Sequence, residues 1–138
     1  MKQLSAAGRY LWAMPNTLGG LVVCLPFLLP GFNCRLCQGV IELHGKGIAW
    51  MLDRFSMSAV TLGHLILARN EGEIGWCRVH ERVHVRQYEQ WGPLFIPAYL
   101  AAGTIAWVRG RRPYRDNIFE VEAYLAGEPG HEGSGGNA

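Results

Sequence analysis

The chain has 138 residues, 49% of them hydrophobic and 17% charged, with a formal net charge of +2. That length supports one domain rather than two. The near-neutral balance, with no basic stripe carrying interleaved aromatics, argues against a nucleic-acid partner.

From Tyr10 to Cys34 there is no charged residue. A spanning helix needs about 20 mostly apolar residues, so this run is long enough. Lys2 and Arg9 before it would hold its start on the cytoplasmic side. Pro15, Asn16, Pro26 and Pro30 lie within it and point to a kinked or re-entrant segment. No small-x-small cleavage site follows, so a cleaved signal peptide fits less well. Residues 1–38 are therefore expected to form an apolar membrane-associated segment, with a buried hairpin of a soluble domain as the alternative.

Cys34-Arg-Leu-Cys37 is a C-x-x-C. Structural zinc needs a second pair, and Cys24 and Cys77 are not spaced as one. A redox motif needs a strand before it and a helix after, whereas here a Pro/Gly-rich turn precedes and a strand follows. Two unpaired thiols are the expectation.

Residues 39–127 are the folded domain. Gly39 to Trp50 alternates and contains Gly45-Lys46-Gly47, which predicts a strand with a hairpin-like bend. Ala59 to Ala68 predicts a second strand, with a turn or loop between them. Glu71 to Trp91 carries the longest helical pattern, with Ile74, Cys77, Val79 and Val83 recurring at three- and four-residue steps. Gly92-Pro93 ends it, and a second apolar helix is expected to run to Val108. A basic loop, Arg109 to Asp116, leads to a short helix over "NIFEVEAYLA". Residues 128–138 hold too little apolar matter to fold and are read as a disordered tail.

The chemistry lies in His80-Glu81-Arg82-Val83-His84, an H-E-x-x-H. Residues i and i+4 of a helix lie one turn apart on nearly the same face, so both imidazoles can reach one cation. Zn2+ takes neutral imidazole nitrogen and keeps a position open for water. Glu81, rotated about 100° from His80, can reach that water and accept its proton. The histidines share a side with Cys77, Val83 and Gln87, away from Arg82, Arg86 and Glu89, which favours a site over a solvated face.

A hydrolytic zinc site needs a third ligand, and the last helix offers Glu120 and Glu122. With H-E-x-x-H followed on another helix by Glu-x-x-Ala, the chain resembles the gluzincin metallopeptidases over roughly Thr61 to Ala126. It is most similar to the membrane-bound CAAX prenyl-protease and heat-shock peptidase group, and to small bacterial peptidase-like proteins ending in Glu-x-Glu-Ala-Tyr. The resemblance implies a minimal α+β zincin-like domain: a short sheet, an H-E-x-x-H helix, an apolar helix and a third-ligand helix. It further implies His80, His84 and Glu120 as zinc ligands, Glu81 as general base, a peptide or protein substrate, and a lipid-associated place at a bacterial inner membrane. Tyr124 stands where the better-known members carry an Asp that supports a ligating histidine.

Read from its residues alone, the last helix gives another answer. Ile118, Phe119, Val121, Ala123, Leu125 and Ala126 leave Glu122 in the apolar arc and Glu120 opposite. A buried carboxylate needs a partner or a metal, which favours Glu122. Glu120 also falls three residues after Asn117, the spacing of a capping box. Gln87, Tyr88, Tyr99, Tyr114 and His64 are candidate donors to an oxyanion. The strand from Val60 to Leu67 is a candidate edge for pairing with an extended peptide.

The two membrane candidates are not independent of the site. If Gln90 to Val108 crossed a bilayer, His80 and Glu120 would lie about 30 Å apart on opposite sides. A shared cation therefore excludes that span. The rival readings are a non-catalytic zinc-binding module and a two-span membrane protein with an accidental motif.

Overall fold

The computed structural model describes residues 5–29 and 31–127. The disordered-tail expectation for residues 128–138 lies outside them. The protein is α+β: a four-stranded sheet with helices on both faces.

Helix α1, Ala6–Cys24, starts where the Ser5 hydroxyl accepts from the Gly8 N–H at 3.1 Å. It runs unbroken through Pro15 and closes in a 3-10 turn at Leu25–Phe27, so the expected kink at Pro15 does not end it. Strands β1, Asn33–Cys37, and β2, Val40–His44, are joined by Gln38-Gly39, both at positive φ (49° and 78°). Two left-handed central residues make the tight turn whose twist matches a hairpin. The boundary drawn between residues 38 and 39 falls inside this turn. Thr17 and Cys24 of α1 are buried and β1 pairs with β2, so both elements pack with those that follow.

The hairpin expected at Gly45-Lys46-Gly47 is instead the start of α2, Lys46–Arg54. Ile48, Met51 and Leu52 are its buried stripe, at the helical spacing that the strand reading passed over. The single strand expected over Ala59–Ala68 is two, β3 (Ala59–Leu62) and β4 (Leu65–Ala68), folded back on Gly63 at φ 63°. The sheet order is β1-β2-β4-β3, with β2 and β4 parallel and the outer pairs antiparallel. β3 is therefore an edge strand.

Side-chain alternation gives the sheet two faces. Leu43, Leu65 and Leu67 pack with Cys24, Ile48, Met51 and Leu52 on one. Val40 and Ile66 meet Val85 of α3 on the other. Helix α3, Glu71–Trp91, has the range the sequence predicts. The Asn70 side chain accepts from the Glu73 N–H at 2.9 Å, and Glu71 and Glu73 favour the positive end of the helix dipole. It stops at Gly92, where φ is 56° and the Trp12 ring lies where a Cβ would stand. Asn16 donates to the Gly92 carbonyl at 2.8 Å, pinning α1 to this corner.

Helix α4, Phe95–Val108, leaves the corner, and α5, Ile118–Gly127, returns along α3. Ala13, Tyr88 and Phe95, with Tyr99 and Phe119, fill the space between. Two helical runs, Ala6–Phe27 and Glu71–Val108, are long and apolar enough to cross a membrane, with only 22% of each apolar stretch buried. The second run is bent at Gly92 and is not one rod. Its α4 portion, 14 residues, is about 21 Å long.

Candidate metal centre

The helical spacing in α3 puts the His80 and His84 rings on one side, with their Nε2 atoms 3.3 Å apart. α5 supplies the third group. Glu120 Oε2 lies 3.2 Å from His80 Nε2 and 3.4 Å from His84 Nε2. Donors tetrahedrally placed at about 2.0–2.1 Å from zinc are about 3.3–3.4 Å apart, so these three atoms have the separations of one face of such a site. Glu120 Oε2 is buried and faces the two imidazole nitrogens, with no well-formed hydrogen bond from either. A cation shared with the imidazoles would satisfy it, and two neutral imidazoles with one carboxylate suit zinc. The residues present fit the metal.

Hydrogen bonds brace two of the three candidate ligands, His84 and Glu120, from behind. The Gln87 Nε2 donates to the Phe119 carbonyl at 3.1 Å, so its Oε1 faces His84 Nδ1 at 2.8 Å. That oxygen can only accept, which places the imidazole proton on Nδ1 and leaves Nε2 bare toward the centre. Gln87 is buried and joins α3 to α5. The Tyr99 hydroxyl donates to Glu120 Oε1 at 2.6 Å. Asn117, fully buried, donates to the Tyr99 carbonyl and accepts from the Phe119 N–H, fixing the start of α5 against α4. His80 meets Tyr124 edge-on, ring centroids 4.5 Å apart. This aromatic contact stands where the resemblance would put an Asp.

Electrostatics agree with the geometry. Burial alone would push Glu120 up, but the two imidazoles and the Tyr99 hydroxyl outweigh it and hold the carboxyl down at about 2. Burial works to lower His84, yet Glu120, Glu81 and Gln87 together raise it above its ordinary 6.5. Without metal, the Glu120 carboxylate thus favours the protonated form of His84 more than water would.

Glu81 is buried beside the triangle without joining it. The Thr61 hydroxyl of β3 donates to its Oε2 at 2.5 Å. Burial raises the Glu81 carboxyl over the opposing pull of Thr61, His84 and His80. A carboxylate made more basic in this way is a better proton acceptor near neutrality.

Two cavities meet at Glu81. An open cleft of about 1150 Å³ is lined by His80, Glu81, Tyr99, Tyr114, Arg115, Tyr124 and residues 55–59. A smaller cavity of about 290 Å³ has Glu81, His84 and Glu120 on one side and Val60, Leu62, Tyr88, Phe95 and Ile96 on the other. β3 contributes to both, so the free edge of the sheet runs beside the triangle.

Of the predicted residues, His80, His84 and Glu120 come together and Glu81 stands beside them. Glu122 does not join; it is exposed. The apolar arc that contains it faces outward, with Ile118, Val121 and Leu125 at 41–68% exposure, so apolarity does not mark the buried side here. The capping-box reading also fails. The Glu120 carboxylate turns to Tyr99 and the histidines, and the Asn117 N–H is taken by the Tyr114 carbonyl. His64 lies elsewhere, buried, paired with Glu89 at 2.8 Å and stacked on Tyr10. Tyr99 and Gln87 serve the ligands, and Tyr88 packs against Phe95 at the apolar cavity. Tyr114 alone of the candidate donors lines both cavities without holding a ligand. Cys34 and Cys37 are free thiols within β1 itself, three residues apart and so on opposite faces. Thr61 was missed, although a polar residue in an apolar strand three residues into the run was a usable signal.

No protein-family model matches the chain, and neither the curated proteins nor the solved structures contain a match.

Proposed function

We propose that the protein is a zinc-dependent metallopeptidase of minimal zincin-like build, held at a membrane, of the bacterial inner-membrane type, through its apolar helices. The observation that carries this reading is the triangle of His80, His84 and Glu120 at 3.2–3.4 Å, with a buried basic carboxylate beside it at an open cleft.

Zinc bound by His80, His84 and Glu120 would supply a Lewis acid that lowers the pKa of water and polarises a carbonyl. Glu81 accepts the proton of the attacking water and returns it to the departing amine. Thr61 keeps the Glu81 carboxylate aimed toward the cleft. An extended peptide adds as a strand to the β3 edge, which aligns its backbone with Glu81. Tyr114, at the meeting of the two cavities, donates to the developing oxyanion. Gln87 holds the His84 tautomer, and Tyr99 holds Glu120.

A second reading is a non-catalytic zinc-binding module, favoured by Tyr124 against His80 in place of a carboxylate. Two variants separate them. Purified protein should carry one zinc per chain, lost in His80→Ala. Glu81→Gln should keep the zinc and abolish cleavage of a peptide pool. Equal cleavage by wild type and Glu81→Gln removes the catalytic role, and a metal content unchanged by His80→Ala removes the site.

A further inference from the structure

The proposed chemistry leaves one large surface unused. From Leu94 to Val108 no residue is charged, and Leu94, Ile96, Leu100, Ile105, Trp107 and Val108 are 41–73% exposed. A contiguous apolar face of this kind marks a contact with something other than water. Arg109, Arg111, Arg112 and Arg115 follow at once, all exposed. The only acid among them, Asp116, is taken up by Arg112.

An apolar helix face ending in Trp and bordered by arginines is the pattern of a helix lying in a lipid interface. At about 21 Å, α4 is too short to cross a core of about 30 Å. A second copy of the chain is a poor occupant. The same loop in the other copy offers these arginines no acid beyond Asp116, which Arg112 already holds.

We infer that α4 and the arginine loop dock side-on to an anionic phospholipid surface, the apolar face in the acyl boundary and the guanidinium groups on phosphates. This deepens the membrane part of the proposed function and does not depend on its chemistry. Tyr114 and Arg115 of the same loop line the open cleft, and Ile96 of the same face lines the apolar cavity. Docking therefore sets the mouth of the site at headgroup level, within reach of polypeptide lying at the interface.

The test uses the full chain as Glu81→Gln, stripped of metal, with vesicles of phosphatidylglycerol and phosphatidylethanolamine or of phosphatidylcholine alone. Anionic vesicles should bind more tightly, and the excess should vanish at high salt. At about 5-fold per basic side chain, Arg109→Gln/Arg111→Gln should bind anionic vesicles about 25-fold more weakly and phosphatidylcholine unchanged. Brominated lipid should quench less fluorescence in Trp107→Phe than in the parent. Equal binding of parent and double variant to anionic vesicles overturns the inference. So does equal quenching, or a lipid-free dimer that buries Trp107. None of these readouts uses zinc or turnover, so their failure leaves the metallopeptidase reading standing, and its failure leaves them.

Discussion

Replacing Gln87 by Met tests whether the metal centre is set by what lies behind the ligands. The volumes are close, so packing changes little. Two hydrogen bonds disappear, one to His84 Nδ1 at 2.8 Å and one to the Phe119 carbonyl at 3.1 Å. Each contributes about 1 kcal/mol, and the buried His84 Nδ1–H left without its acceptor adds up to about 2 kcal/mol. The zinc-free protein should lose about 2–4 kcal/mol of stability, read from denaturant midpoints. With its tautomer no longer imposed, His84 should bind zinc 10–100-fold more weakly, about 1.4–2.7 kcal/mol, in a chelator competition. Both numbers should move together, because one amide joins the ligand to α5. A variant that loses stability but keeps the parent affinity refutes the claim that Gln87 prepares His84.

Glu120→Ala should abolish stoichiometric zinc while Glu122→Ala keeps it and stays within about 0.5 kcal/mol of the parent, as an exposed change should; metal analysis and thermal unfolding check both. The zinc-free protein should have a stability maximum between about pH 4.5 and 6.5, measured as denaturant midpoints from pH 2 to 9. Glu120, depressed to about 2, adds stability above its ordinary 4.5 that is lost as pH falls toward 2. His84, raised above 6.5, adds stability that fades as pH rises through its folded value, and ionising the buried Glu81 opposes folding in the same direction. Zinc affinity should climb over that upper limb, because the metal takes His84 without its proton. A flat profile above pH 6 would contradict the coupling of His84 to Glu120.

Much of this was open to reading along the chain, and each part that was not has its own cause. α3 carries its own stop and start: Asn70 caps it and Gly92 ends it, both local signals. The His80–His84 pair follows from helical spacing alone. The two hairpin errors have opposite causes: composition was weighed over punctuation at Gly63, and punctuation over helical period after Gly45. Gly63 breaks an otherwise continuous apolar run, and Ile48, Met51 and Leu52 carry a helical period just beyond the Gly45–Gly47 bend. The choice between Glu120 and Glu122 could not be made from a wheel, because the rule that apolar faces turn inward fails on α5. Gln87, Thr61 and Asn117 gain their roles only when distant segments meet. Their partners lie 32, 20 and 18 residues away.

The corner at Gly92 has a further meaning. A hydropathy trace cannot separate a bar from a bracket, since both score the same along their length. Here the left-handed backbone torsion, braced by an indole, folds the run back so that positions forty apart share one wall. A long greasy contour can in this way still bring an acid and an imidazole within 3.2 Å of each other.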